Sequence, residues 1–170
     1  AKSDRERRVF INSIGPVWDA NEVWLITAGG ALFAAFPDVY ATIFSCFYTA
    51  FMLFLLVLIA RAVSIEFRGK ADSKSWKKVW DVVFNVSSYL IVLLLAITFG
   101  NLVSGIPISA DKEYMGTFMQ LLNPYSIYVG FTAVLLLRLH GRLYLIIKTE
   151  GELTERLKSR FLYSWSMFFI

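Results

Sequence analysis

Long apolar runs separated by short polar stretches dominate the pattern along this chain. Residues 39–60 contain 22 residues without a charge, and a helix of that length spans roughly 33 Å at 1.5 Å per residue. The hydrocarbon core of a bilayer is about 30 Å thick. Residues 82–110 are also uncharged, and Gly105 and Pro107 mark the end of the helix predicted there. The pattern therefore predicts helices that cross a membrane.

We predict an all-α integral membrane protein, a polytopic helical bundle with about four spanning helices, an unfinished fifth and an N-terminal interfacial helix. It forms one transmembrane domain, residues 1–170, and both ends are expected to be cut from something longer. Asn123 and Pro124 give the clearest helix start, an N-cap residue followed by proline at the first helical position. The predicted segments are the interfacial helix 1–15, the helices 17–36 and 39–66 as a hairpin, the helices 80–103 and 124–148, a charged connector at 149–160 and the start of a helix at 161–170.

The basic residues predict the orientation of these segments. Of the 17 lysines and arginines, four precede Pro16, six lie in 61–80, six lie in 138–160, and Lys112 stands alone between residues 104 and 122. By the positive-inside rule, the three basic groups face the cytoplasm and the Lys112 loop faces out. This alternation requires residues 17–36 to cross the membrane, with the Pro37 turn outside and the start of the segment near the cytoplasm.

Composition agrees with this prediction and excludes other classes. The chain is 57% apolar and 18% charged, which lies on the membrane side of the average for soluble proteins. The net charge of +4 comes from residues flanking the apolar runs, so membrane lipid and not nucleic acid is the expected partner. Cys46 is the one cysteine and excludes an intrachain disulfide; we interpret it as a small apolar residue of a helix.

Two acids, Asp19 and Glu22, precede the apolar part of the segment 17–36 and are the strongest functional candidates. Their spacing resembles a capping box, with Asp19 as N-cap, and capping with compensation of the helix dipole is one interpretation. The other is proton uptake, because a partly desolvated carboxylate at a membrane entrance can exchange protons with a water chain. The two roles are compatible, and the residues alone leave both open.

The remaining polar residues give weaker signals. His140 is the single histidine, and no cluster of metal ligands, P-loop, dinucleotide fingerprint or nucleophile motif accompanies it, so redox cofactors would belong to a partner. Arg138 is interpreted as a contact to lipid headgroups, with an ion pair inside the bundle as the alternative. His140 is more often a polar packing residue than a ligand, and Asn101 is expected to form hydrogen bonds between helices.

Six stretches of the chain closely resemble subunit II of the cytochrome bd-type quinol oxidases. The longest and most specific contains both acids, and the resemblance covers nearly the whole chain. In chain order the stretches read ERRVFINSIGP, PVWDANEVWLITAGGALFAAFPDVYATIFSCFY, RAVSIEFRGK, FGNLVSGIP, QLLNPYS and LHGRLYLIIKTEGEL.

The resemblance implies a haem-free subunit of a terminal oxidase in the bacterial cytoplasmic (inner) membrane, which oxidises quinol and reduces O2 to water. It implies that haem b, haem d and the main quinol site belong to the partner, subunit I, and that Asp19 belongs to a proton path from the cytoplasm. Glu22 is a second candidate for that path, and a bound quinone is possible without assigned contacts. Ala20 stands where the family usually has glycine. The family's first helix and most of its C-terminal half are absent, so this chain is not expected to be catalytic alone.

Two other functions remain to be weighed against the oxidase subunit. A small-ion or solute transporter half would use the acids of the segment 17–36 as its entrance, although no inverted repeat is visible. A purely structural subunit would use Asp19 only to stabilise its helix. Haem absorbance that copurifies favours the oxidase, and ion flux without a partner favours the transporter.

Overall fold

The computed structural model describes residues 1, 3–111 and 113–169, and these form an all-α chain without a β-sheet. Lys112 and Ile170 lie outside the described residues, as does Lys2. The helices are α1 Asp4–Ile14, α2 Trp18–Ala35, α3 Pro37–Cys46, α4 Tyr48–Phe67, α5 Lys74–Ser104, α6 Pro124–Lys148, α7 Glu152–Ser159 and α8 Phe161–Phe169, with a 3₁₀ helix at Phe118–Leu121.

Three of the described helices, α4, α5 and α6, are long and apolar enough to cross a membrane. Only 11% of the apolar stretch is buried in α4 and α6, and 22% in α5. Apolar side chains left this exposed need lipid or another protein around them. The chain is therefore a multi-pass membrane protein, as predicted. The shorter helix α2 is not among the three, so a crossing by residues 17–36 stays a prediction.

Residues 1–37 and 135–170 form one compact unit, which contains α1, α2, the second half of α6, α7 and α8. The hydroxyl of Tyr144 donates to the carbonyl oxygen of Ser13 at 2.8 Å and fixes the end of α1 to α6. An ion pair of 2.6 Å between Glu6 and Arg156 joins α1 to α7. Helix α1 begins at Asp4, because the side chain of Ser3 caps it by accepting from the Glu6 N–H; its interfacial position stays a prediction.

Residues 38–134 form the second unit, in which a small core lies beside the 3₁₀ helix. Cys46, Phe47, Ala50 and Leu121 are buried there, and Tyr114 packs against them. The predicted continuous helix 39–66 is wrong: α3 ends at Cys46, and α4 begins at Tyr48. Phe47, with φ −102° and ψ 18°, interrupts the helix while its ring, 1% exposed, fills the core. Packing imposes this break, since no glycine or proline marks it.

The turn between α4 and α5 is closed by an almost buried ion pair. Arg68 donates through Nε to Asp81 at 2.6 Å, and its side chain is 6% exposed. The indole N–H of Trp76 donates to the carbonyl oxygen of Phe67 at 2.7 Å. These contacts explain why α5 begins at Lys74 and not near the predicted residue 80. Hydropathy identifies the part of a helix that suits the membrane. It does not detect a polar extension of that helix that tertiary contacts stabilise.

Helices α5 and α6 pack closely where glycines remove the side chain. A Cβ atom at Gly100 would lie 3.0 Å from the Cα of Ser126, and one at Gly130 would lie 2.8 Å from the Leu93 Cδ1. Close approach of helices through small residues is typical of packing in membranes.

Most of the charged stretch after α6 forms a helix, α7. The prediction of a connector at 149–160 did not include this helix. Gly151, with φ +71°, separates α7 from α6. The acids Glu152 and Glu155 lie in the first turn, and the bases Arg156 and Lys158 lie in the last. This order of charges complements the helix dipole, a signal that a search for apolar runs does not detect.

Candidate functional site

Asp19 lies in the first turn of α2 with an exposed side chain. Helix α2 begins at Trp18, its N-cap residue is Val17, and no side chain caps it. The predicted capping box is therefore wrong. The carbonyl oxygen of Val17 already accepts from the N–H of Asn21 at 3.0 Å, so the first turn closes one residue before the predicted cap. The Asp19 carboxylate still lies at the positive end of the helix dipole.

Glu22 follows one turn later on α2 and is half-buried. Residues three apart share a side of a helix, so the two acids lie above one another along the first two turns. The exposed Asp19 lies nearer the helix end, and Glu22 lies deeper. Their proton-pathway role stays a prediction.

The rest of α2 is apolar on all sides, and none of its residues is buried. Trp24, Ile26 and Phe33 are 70%, 76% and 59% exposed. Successive residues are rotated by about 100° around a helix, so Ile26 and Phe33 lie on one side of α2 and Trp24 lies on the opposite side. A helix with apolar residues all round requires a surrounding of lipid or protein.

Arg138 and His140 both have exposed side chains on α6, so neither is enclosed among the described residues. Arg142, one turn below Arg138, is half-buried and donates to the carbonyl oxygen of Arg160. Within the described part of the chain, no three side chains of His, Cys, Asp or Glu lie close enough together to hold a metal ion. An ion pair of Arg138 or a packing role of His140 stays a prediction.

Asn101 of α5, 4% exposed, forms three side-chain hydrogen bonds. Its Nδ2 donates to the carbonyl oxygens of Ile97 at 2.9 Å and Leu121 at 2.7 Å. Its Oδ1 accepts from Nδ2 of Asn123 at 2.9 Å. The Oδ1 of Asn123 in turn accepts from the Ser126 N–H at 2.9 Å, and this bond is the predicted N-cap of α6 by Asn123. The two asparagines thus join the end of α5, the 3₁₀ helix and the start of α6.

Three structural contacts were not predicted from the sequence. They are the Arg68–Asp81 ion pair, the Glu6–Arg156 ion pair and the hydrogen bond from Tyr144 to Ser13. The partners of the last two are 150 and 131 residues apart in sequence, and no local signal identifies them. The first pair lies 13 residues apart, and opposite charges at the two ends of a tight turn were an available signal.

Comparisons with known proteins agree on one family. The model of cytochrome bd terminal oxidase subunit II matches residues 1–170. The chain is 44% identical over 162 residues to cytochrome bd-I ubiquinol oxidase subunit 2 of Escherichia coli strain K12, covering 93% of this chain and 43% of that protein. It is 46% identical over 154 residues to cytochrome bd ubiquinol oxidase subunit 2 of Bacillus subtilis strain 168, covering 91% and 46%.

The chain thus spans less than half the length of the curated relatives it matches. The match nevertheless runs through α2 with its acids, the three membrane-capable helices and the Asn101 contacts, because it covers every residue of the chain. Family membership implies that haems belong to the oxidase complex, and a bacterial cytoplasmic membrane location follows from the relatives and from the apolar helices. This multi-pass membrane chain belongs to the family of cytochrome bd terminal oxidase subunit II.

Proposed function

We propose that this chain is part of the haem-free subunit II of a bd-type oxidase, which oxidises membrane quinol and reduces O2 to water. The observation that carries the proposal is the family match across residues 1–170. The relatives are ubiquinol oxidase subunits, and this supports the proposed reaction. In the complex, subunit II stabilises the haem-bearing subunit I and contributes to proton uptake from the cytoplasm.

We place the haems and the main quinol site in subunit I because the described residues fit a haem poorly. A haem needs an axial His, Cys, Met or Tyr inside an apolar pocket. His140, the one histidine, has an exposed side chain, and no group of metal ligands converges in the described part of the chain. When bound in the complex, the haems supply the electron transfer from quinol to O2. Quinone contacts in this chain are not assigned.

Proton uptake gives the acids of α2 their role in this proposal. Reduction of one O2 to two waters consumes four protons, so the oxidase needs a path that delivers them. Asp19 is exposed in the first turn of α2, and Glu22 lies one turn deeper on the same side. This order suits a relay in which Asp19 accepts a proton from water and Glu22 receives it further in.

The apolar surface of α2 supports assembly around that relay. None of its residues is buried within this chain, although Trp24 and Ile26 are large and apolar. We propose that subunit I or the remainder of subunit II covers this surface. Covering it would remove water from the sides of the helix and leave the Asp19 end as the opening.

The test is copurification of haem with this subunit. The full-length subunit is expressed with its partner, purified through a tag on this chain, and examined by a dithionite-reduced minus oxidised spectrum. We expect the absorbance bands of haems b and d in stoichiometric amounts, together with quinol oxidation that consumes O2. A control preparation that lacks the gene for the partner should yield the tagged chain without haem bands.

Two outcomes contradict the proposal. A folded but colourless complex would remove the oxidase assignment, and ion flux in vesicles would then be measured for the transporter alternative. Haem bands that persist without the partner would contradict the placement of the haems in subunit I.

A further inference from the structure

A cavity of about 660 Å³ lies between α1, the end of α6 and α7. Its volume is in the range of about 300–1,000 Å³ that is usual for small-molecule sites. All of its lining residues belong to the first compact unit. The ion pair between Glu6 and Arg156, with both side chains about four-fifths buried, crosses from α1 to α7 and holds the two walls together.

The lining of this α1–α7 cavity has charges of both signs. Arg5 and Lys148 contribute cations, and Glu150 and Glu152 contribute carboxylates. Arg156 and Glu6 also line the cavity, but they satisfy each other at 2.6 Å. A ligand suited to this lining carries an anionic group and a cationic group at once, because a purely anionic ligand would meet the two carboxylates.

The position of the cavity favours a lipid as the source of that ligand. Lys148 is the last residue of α6, one of the three membrane-capable helices, so the cavity lies where that helix leaves the hydrocarbon. Helix α1 is amphipathic and combines three arginines with Val9, Phe10 and Ile11, which is typical of a helix at headgroup level. Val9 and Leu153 add an apolar part to the cavity wall.

We propose that the α1–α7 cavity binds the headgroup of a zwitterionic phospholipid whose phosphate carries an ammonium-bearing alcohol. Arg5 and Lys148, both exposed cations, hold the phosphate, because charge-assisted contacts are stronger than contacts between neutral groups. Glu150 and Glu152 hold the ammonium group. The apolar wall at Val9 and Leu153 directs the glycerol and acyl part of the lipid towards the membrane.

The test measures which phospholipid stays bound to the intact oxidase. The complex is delipidated and mixed with equal amounts of phosphatidylethanolamine and phosphatidylglycerol with identical acyl chains, and bound lipid is counted by native mass spectrometry. Three variants are compared with the wild type: Glu150→Gln with Glu152→Gln, Arg5→Gln with Lys148→Gln, and the control Arg8→Gln. Arg8 is an exposed cation of α1 that pairs with Asp4 and does not line the cavity.

We expect the wild type to retain phosphatidylethanolamine with a preference of about tenfold, which corresponds to about 1.4 kcal/mol. The double Gln variant of the acids should bind both lipids equally. The double Gln variant of the bases should lose most of both, and Arg8→Gln should behave as wild type. If the variant of Arg5 and Lys148 does not assemble, the proposal is tested by the variant of Glu150 and Glu152 alone, which should lose the preference for phosphatidylethanolamine.

Three results overturn the proposal. Equal retention of the two lipids by the wild type would contradict the proposed binding of the ammonium group by the carboxylates. A loss in Arg8→Gln as large as in the variant of Arg5 and Lys148 would indicate general attraction by the basic surface. Displacement of the lipid by a small excess of soluble phosphoethanolamine would identify a soluble ligand with the same chemistry.

Discussion

Substitution of Arg68 by Met removes one partner of the ion pair that closes the turn between α4 and α5. The Nε of Arg68 lies 2.6 Å from Oδ1 of Asp81, and the side chains are 6% and 17% exposed. Met keeps most of the length of the arginine stem and its apolar contacts but cannot donate a hydrogen bond. Asp81 is then left with its carboxylate largely out of water and without this cation.

The expected loss of stability follows from that burial. Removing one partner of a buried pair costs about 3–5 kcal/mol, because the remaining buried charge loses its counter-ion. Since Asp81 keeps some exposure, we expect the lower end of this range, about 3 kcal/mol, or more than a hundredfold in the unfolding equilibrium. The double variant Arg68→Met, Asp81→Leu should recover most of the loss, since replacing both partners by apolar groups is often neutral.

The assay is unfolding of the full-length subunit by SDS in mixed micelles, followed by tryptophan fluorescence. Trp80 contacts Phe67 edge-on at a centroid distance of 5.5 Å and Trp76 lies beside it, so these two of the five tryptophans report on this turn. The matched control is Arg8→Met, because Arg8 and Asp4 form an exposed pair at 3.5 Å that should contribute less than about 0.5 kcal/mol. Equal small losses in Arg68→Met and Arg8→Met, or no recovery in the double variant, would refute the argument.

Two further predictions concern the second unit. Asn101→Leu should lower stability by about 2–4 kcal/mol in the same assay, because it leaves the Leu121 carbonyl and the Asn123 amide without this buried partner. The control is Asn85→Leu, at an exposed position of the same helix, which should change stability by less than about 0.5 kcal/mol. Burial raises the pKa of the Tyr114 hydroxyl above its ordinary value of 10.0, so the unfolded chain loses this proton first and stability should fall as the pH rises above about 10. Tyr114→Phe should flatten that fall above about pH 10. A large loss in Asn85→Leu, or an alkaline fall that Tyr114→Phe leaves unchanged, would contradict these arguments.

Local signals in the sequence were sufficient to predict helix ends where capping residues or proline occur at those ends. Helix α6 begins at Pro124 and ends at Lys148, as predicted, because the Asn123 side chain caps it and proline favours its first turn. The start of α5 was placed too late because its first residues are polar and are held by Trp76 and by Asp81. Apolar runs predict which part of a helix suits a membrane and not how far the helix extends beyond it.

Contacts between distant residues explain what the sequence did not predict. The break at Phe47 arises because its ring fills a core formed with Leu121, more than 70 residues away. In the candidate site, the sequence identified the acids of α2 as candidates from their residue type and position. The N-cap residue of α2 is Val17, however, so Asp19 does not have the expected capping role. What surrounds α2 depends on protein or lipid beyond this chain.

Asp19 is proposed to take up protons for the oxidase, and the substitution Asp19→Asn is to be measured in the intact complex. Asp38→Asn is the matched control, because Asp38 is also an acid in the first turn of a helix and is predicted to lie at the outer side. Both substitutions weaken a dipole interaction of about 0.3–1 kcal/mol, so a purely structural role would affect the two variants alike. Turnover with quinol and proton uptake from the cytoplasmic side are measured in vesicles. We predict a fall of at least about tenfold in both rates for Asp19→Asn alone, since positioned proton transfer contributes about 10²–10⁴-fold. Unchanged turnover and proton uptake in Asp19→Asn would contradict the relay.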